Sequence, residues 1–312
     1  DKQLLQNYFT TSIEAGFEQF TPFLHEINLI VNDEPEFNIL QNLKSVADAP
    51  TKATQVTYLT SIYKGDEYFQ GFLENITPSL IEANGMVILV NANSPGNERG
   101  LFNDFIEKYP GIKSRIKYIH LEKDPGLYNC WQLAIEQSDS HYVGNANLDD
   151  RRSPFQSRVL LQKLESEPTY YGAAAAISAN TAKNVSWFNF TDNQYWFTYG
   201  FNEKITFDDL HTTSENGNVI SRNMMHCMPI WRKSLHDEHG YFNEEKYGTS
   251  ADWAFWLECT KHGKTFCLVP EIYSQYYINE QSHNRINDPN GIKENKIIED
   301  YLDIKQARFT QQ

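Results

Sequence analysis

The chain has 312 residues, 40% of them hydrophobic and 22% charged, with a net charge of −14. That is enough apolar material for one large α/β domain or two small ones, and it excludes disorder as the dominant state. No apolar run reaches the roughly 20 residues that cross a bilayer, and the acid excess argues against a broad basic face for nucleic acid.

Residues 1–50 read as a helical extension, accessory or membrane-proximal, with Leu4, Leu5, Tyr8, Phe9, Ile13 and Phe17 at helical spacing and a boundary at Ala49-Pro50-Thr51. From Val56 the texture changes. Val56–Ile62, Met86–Val90, Arg115–Leu121 and His141–Gly144 read as strands. Between them lie helices over Glu67–Ala83 (interrupted near Pro78), Glu98–Tyr109 and Tyr128–Gln137. Strands alternating with helices of these lengths predict a mostly parallel sheet with helices on both faces.

Further along, a helix is expected over Phe155–Glu165 and a strand over Tyr170–Ile177. Residues 180–225 lack periodicity and are rich in aromatics, including Trp187, Phe188, Phe190, Tyr195, Trp196, Phe197 and Tyr199. Order returns at Pro229–Leu235 and in a helix from Asp252 to His262, with Trp253, Trp256, Leu257 and Thr260 as a buried stripe and Gly263 as its stop. Two strands, Thr265–Val269 and Ile272–Ile278, and an amphipathic helix over Ile292–Ala307 complete the chain. The implied division is 1–50, 51–288 (halves 51–150 and 151–288) and 289–312. Four widely spaced cysteines without a CxxC pair fit reduced structural thiols and a cytoplasmic protein. With no secretory signal and Asp1 at its start, the sequence reads as a trimmed fragment.

Each of the first four strands runs into a polar cluster: Ser61–Lys64, Asn91–Ser94, Glu122–Gly126 and Asn145–Asp150. Ligands of open α/β sheets bind outside those carboxyl ends. Adjacent Asp149 and Asp150 repel unless a cation or hydrogen bonds compensate, and oxygen-ligand ions such as Mn²⁺ or Mg²⁺ are the usual remedy. The bland alternative is a helix-start pair satisfied by backbone amides and by Arg151 and Arg152. Asp252, at a helix start after a glycine-containing loop, is either a cap or a general base. His283 and Asn279 follow the last strand as a surface pair or a metal contact. No Gly-x-Gly-x-x-Gly, P-loop or Gly-x-Ser-x-Gly elbow is present.

Taken in order, five segments resemble the family 2 glycosyltransferases of the GT-A fold. Thr60–Tyr68 is similar to that family's opening strand and nucleotide loop, and Val90–Ser94 to its Val-Asp-Asp-Gly-Ser turn. Asp124–Asn129 resembles its Gly-Leu segment, and Asn147–Asp150 stands at its Asp-x-Asp motif. Gly240–Glu244 followed by Ser250–Leu257 resembles the Gly-x-Phe-Asp-Glu and Glu-Asp-x-x-x-Trp-Leu pair. Departures are Asn147 for the first Asp, Asn91 or Asn93 at the turn acid, Trp131 and Gln132 where Arg and Asn are frequent, and Ala251 before Asp252.

The resemblance implies a Rossmann-like, mostly parallel GT-A sheet with helical additions at both ends. It implies a metal-dependent, inverting glycosyltransferase of the hexosyltransferase type. Such an enzyme uses a nucleotide-diphosphate sugar, a UDP-sugar first, and a glycan or glycoconjugate hydroxyl, as in bacterial polysaccharide assembly at the inner face of the membrane. Ser61, Tyr63, Asn91, Asn93, Gln132, Asn147 and Asp149 would then hold the donor, and Asp149, Asp150 and His283 would hold Mn²⁺ or Mg²⁺. Asp252 would be the base, and Trp231 and Trp253 would stack on the acceptor. The alternatives are a non-catalytic nucleotide- or glycan-binding module on the same fold and a metal-dependent phosphohydrolase.

Overall fold

The computed structural model describes residues 54–187, 194–197, 203–213, 219–278 and 292–302. The expected helical segment 1–50 lies outside the described residues, as do Asn279, His283, Phe188, Phe190 and Tyr199. In chain order the elements begin β1 (Val56–Ile62), α1 (Asp66–Glu82), β2 (Met86–Asn91), α2 (Glu98–Lys108), β3 (Ile116–His120), α3 (Leu127–Glu136) and β4 (Tyr142–Asn145). There follow β5 (Arg151–Arg152), α4 (Gln156–Ser166), β6 (Tyr170–Asn180), β7 (Gln194–Phe197), β8 (Lys204–Ile205), β9 (His211–Thr213) and β10 (Val219–Ser221). The remainder is β11 (Ile230–Arg232), α5 (Leu235–His239), α6 (Glu244–Tyr247), α7 (Ala251–Lys261), β12 (Thr265–Tyr277) and α8 (Ile292–Leu302).

The main sheet runs β3-β2-β1-β4-β11-β6-β12-β5, with β7 and β8 paired to β6 and β12 off that path. Strands β3, β2, β1 and β4 are mutually parallel, and β12 runs parallel to β6. Strand β11 is inserted antiparallel between β4 and β6, so the carboxyl ends of β1, β4, β6 and β12 share one edge. From β1 the chain builds outward through β2 and β3, and then returns to place β4 on the other side. The ligand crevice of a doubly wound sheet forms at such a reversal, and it lies between the segments after β1 and β4.

The strand period of two sorts side chains into two layers. Val56, Tyr58 and Ile62 of β1, with Val87 and Leu89 of β2, pack under α1, α2 and α4 through Phe69, Leu73, Phe105 and Leu160. Leu59, Ile88 and Val90 point the other way, into the layer of α3, α5, α7 and α8 with Trp131, Leu235, Trp253, Trp256 and Ile298.

Two expectations are corrected. Helix α1 continues through Pro78, because Phe72, Leu73, Ile76 and Leu80 are buried along both sides of the missing hydrogen bond. The last two strands are one strand, β12, whose register against β6 jumps between Val269 and Ile272. There Pro270, which cannot donate to a ladder, sits with Glu271 in a bulge. Helix α7 stops where expected, with Gly263 at φ +81° beyond it, and all four cysteines are buried and free. No described helix is long and apolar enough to cross a membrane.

Candidate active site at the carboxyl edge of the sheet

The segment after β1 is tied to the segment after β2. Ser94 Oγ accepts from the Lys64 backbone N–H at 2.8 Å and donates to Glu98 Oε1 at 2.8 Å, and Glu98 Oε1 also accepts from Gly65 N–H at 2.7 Å. Glu98 is wholly buried at the start of α2, so one carboxylate fixes both loops. Asn91 is occupied in the same frame. Its amide oxygen accepts from Ser94 N–H and its amide nitrogen donates to Tyr118 Oη, both at 2.8 Å. The exposed groups are Tyr63, 40% accessible with Lys64 Nζ 5.2 Å from its ring centre, and Asn93 in the left-handed region at φ +56°. Ser61 is half-buried beside them. Gln132 lies on α3 and donates to Glu136 at 2.9 Å, one turn along.

At the end of β4 the two neighbouring acids have different surroundings. Asp150 is 3% exposed; its Oδ2 accepts from Asn147 Nδ2 at 2.9 Å and its Oδ1 from the Tyr277 N–H at 3.1 Å. Asp149 instead lines a recess with Asn180, Ala182, Asn184, Val185, Gln275 and Tyr277, of about 10 Å³, the volume of one water-sized sphere. Burial raises the pKa of both acids, and the charge of Asp149 helps push Asp150 up to about 7. The charge of Arg151 opposes this rise in both acids, but burial is the larger cause, and its N–H groups are spent elsewhere: Nη1 bonds the Leu148 and Asp150 carbonyls and Nη2 the amide of Asn184. Gln275, 3% exposed, has its Nε2 without a partner among the described residues at this recess.

The residues therefore fit a hard divalent cation. The donors are carboxylate and amide oxygens, the suitable chemistry for Mn²⁺ or Mg²⁺, and an added cation would relieve the mutual repulsion. Asp149 is the acid that faces the recess. Asp150, expected as a second ligand, is placed as the brace that fixes Asn147 and the end of β12.

The third acid is built by α7. Asp252, half-buried in its first turn, accepts through Oδ1 from the Trp253 N–H at 2.8 Å and through Oδ2 from Asn223 Nδ2 at 2.9 Å. Asn223 Oδ1 is buried and has no partner among the described residues. Tyr128 of α3 abuts the same carboxylate; burial and the negative charge of Asp252 raise its pKa well above the ordinary value. Its hydroxyl donates to the Thr249 carbonyl at 2.8 Å. Glu244 sets the start of α3 by accepting from the Leu127 and Tyr128 N–H groups at 3.3 and 2.9 Å. Gly126, at φ +97°, is required there: a Cβ would stand 2.5 Å from that carboxylate.

One short segment joins the two acidic regions. Asn223 holds Asp252, and His226 lies close enough that the charge of Asp252 opposes the lowering of its pKa by burial. The His226 ring packs edge-on to Tyr276, next to the residue whose N–H holds Asp150. The Cys227 carbonyl accepts from Asn145 Nδ2 at the end of β4. The acid pair and Asp252 thus flank residues 223–227 on one edge of the sheet.

The acceptor role expected of two tryptophans is corrected. Trp231 is 0% and Trp253 1% exposed, and their indole N–H groups donate inward to His236 Nε2 and the Leu210 carbonyl, both at 2.9 Å. Neither offers a ring face to a ligand. His236, bonded also to the Gly240 carbonyl and stacked on Phe255, has its pKa lowered by burial to about 4. Sequence reasoning missed Glu98, Asn223, His226 and Gln275. Only Glu98 carried a local signal, as a first-turn acid after Ser94.

The chain matches no described sequence family and no curated protein sequence. Its fold, however, is found among solved structures. It is similar to residues 1–349 of TarS from S. aureus in complex with UDP (TM-score 0.55, 13% identity, 81% of this chain and 67% of that one). The TarS 1–349 complex with UDP-GlcNAc gives 0.54 and 13%, over 74% and 60%. The mannosyltransferase PcManGT from Pyrobaculum calidifontis, in complex with GDP-Man and Mn²⁺, gives 0.56 and 11%, over 88% and 72%. This chain therefore spans about 60% of the TarS fragment in its UDP-GlcNAc complex. At such identities the likeness establishes architecture: the chain has the GT-A glycosyltransferase fold.

Proposed function

We propose that this chain is a glycosyltransferase that moves a sugar from a nucleotide-diphosphate donor, a UDP-sugar first, to a hydroxyl of a glycan or glycoconjugate. The observation that carries this reading is the meeting of a cation-hungry acid pair and a separately tethered aspartate across residues 223–227, at the reversal point of a GT-A sheet. The solved structures of this fold named above hold UDP, UDP-GlcNAc, or GDP-Man with Mn²⁺.

In this reading Ser61, Tyr63 and Asn93 bind the nucleotide from the loops after β1 and β2, while Glu98 and Asn91 keep those loops in register. Asp149 would hold a divalent cation, with the Asn147–Asp150 hydrogen bond bracing the segment that carries it. That cation, when bound, supplies charge stabilisation for a leaving diphosphate, so no protonated acid is needed on that side. Asp252 takes the proton of the acceptor hydroxyl as the acceptor oxygen bonds to the anomeric carbon, while the bond from that carbon to the diphosphate oxygen breaks. Attack from the face opposite the diphosphate inverts the configuration.

The test is a panel of nucleotide sugars with and without Mn²⁺, read by thermal shift and by release of nucleoside diphosphate in the presence of glycan acceptors. Binding with metal-dependent release that Asp252→Asn abolishes supports the enzyme. Binding without release by the intact chain supports a binding module instead, and release of inorganic phosphate a phosphohydrolase.

A further inference from the structure

Helix α7 carries ionisable groups at both ends. Six and ten residues beyond Asp252, distances of about 9 and 15 Å at the helical rise, Glu258 and His262 project one turn apart toward His239 at the end of α5. One ligand atom from each of the three lies within 4.8 Å of the other two. The two imidazole rings have centroids 5.4 Å apart. His262 Nδ1 lies 2.9 Å from the Glu258 carbonyl and 3.3 Å from Glu258 Oε1, so the ring is already seated beside that carboxylate; in the tautomer that donates from Nδ1 to the carbonyl, Nε2 carries the lone pair a metal needs.

The second observation is His239 itself. Its side chain is 8% exposed, and its Nε2 is buried with no hydrogen-bond partner among the described residues. The Glu238 carboxylate stands 4.0 Å from that nitrogen and is held by Lys264 Nζ at 2.5 Å, so it is drawn toward the lysine. A buried polar nitrogen without a partner is costly, and a metal ion answers a bare imidazole lone pair. We propose that His239, Glu258 and His262 bind one late first-row divalent cation, with Zn²⁺ as the representative ion, at a site separate from the nucleotide cleft that pins the end of α5 to the end of α7. Two imidazoles and one carboxylate form a borderline donor set that suits zinc, whereas Mn²⁺ and Mg²⁺ prefer oxygen. Tetrahedral zinc places its ligand atoms about 3.4 Å apart, so the three groups need close by at most about 1.4 Å, which the exposed His262 side chain permits.

The experiment is calorimetry of the metal-stripped chain with Zn²⁺, without nucleotide. The expected result is one zinc ion with a dissociation constant in the low micromolar range or tighter. The expected loss is at least tenfold in His262→Ala, an exposed position whose change leaves the fold intact, and in His239→Ala. Asp149→Asn should bind zinc as the parent does, and zinc should raise the melting temperature of the parent but not of His262→Ala. Co²⁺ in place of zinc should give the intense visible bands of a four-coordinate site. Equal zinc affinity in parent and His262→Ala, an affinity weaker than about 0.1 mM, or loss of binding in Asp149→Asn would each overturn the assignment.

Discussion

The two acidic regions of the cleft differ in how their charge is handled. Asp149 and Asp150 are adjacent, the first half-buried at a recess and the second 3% exposed, and desolvation makes their ionised forms costly. Asp252 is alone, half-buried, and receives one hydrogen bond on each oxygen. The first arrangement asks for a cation, and the second holds a carboxylate oriented with spare lone pairs. One protein thus sets like side chains to different tasks by neighbours and solvent, not by residue type.

The largest expected effect comes from Asp252→Asn: turnover should fall by about 10²–10⁴-fold while donor affinity stays within about twofold. Single-turnover rates together with nucleotide calorimetry check this, and near-parent turnover would erase the contrast between the two regions.

Next is pH. Asp150 has its native pKa raised to about 7, so the folded chain keeps a proton that the unfolded chain releases near pH 4. Its contribution to stability is therefore full below about pH 4 and lost as pH rises to 7. His236 acts in the opposite sense, with a native value near 4. Its contribution is full above about pH 6.5 and lost as pH falls to 4, by about 3 kcal/mol. The two slopes overlap and oppose each other in the parent. Denaturant titrations across pH 4–7.5 without divalent ions should therefore show stability rising with pH in Asp150→Asn and falling with pH in His236→Gln. Matching profiles in all three proteins would refute both assignments.

A smaller effect is expected at Asp149. Asp149→Ala should weaken Mn²⁺-dependent nucleotide binding by about tenfold or more, as losing a ligand or its support does at metal sites, and leave metal-free binding unchanged. Asn223→Ala is expected to cost about tenfold in turnover, the equivalent of one hydrogen bond to a charged group. It should also shift the pH–rate profile, which a merely structural contact would not move. The smallest effect belongs to Glu244→Gln, which keeps an acceptor at the start of α3 but removes the charge that favours a helix N-terminus. About 0.5–1 kcal/mol of stability should be lost.

The architecture was largely legible because its signals are local. Each strand of the first half is a short apolar run bounded by polar clusters, and its side chains alternate between two helical layers, so element type and order follow from the pattern of residues 56–145. The order of the motifs pointed to the GT-A sheet that the coordinates show. The second half was harder to read. The bulge at Pro270 splits one long strand into two apparent ones, and the insertion of β11 between β4 and β6 has no local mark. Trp231 and Trp253 illustrate a further limit, since an aromatic side chain reads the same whether it lines a cleft or fills a core.

Residue type and spacing by themselves determined that this chain forms a doubly wound sheet and gathers acids after its fourth strand, because hydrophobic period and loop polarity are properties of short stretches. Tertiary structure alone decided which acid faces the recess and which is a brace, that Asn223 tethers Asp252, and that Glu98 locks two loops. Those assignments depend on partners far apart along the chain, 127 positions between Asp150 and Tyr277 and 29 between Asn223 and Asp252. Only packing brings such groups within hydrogen-bond reach, and burial then sets how much each charge costs.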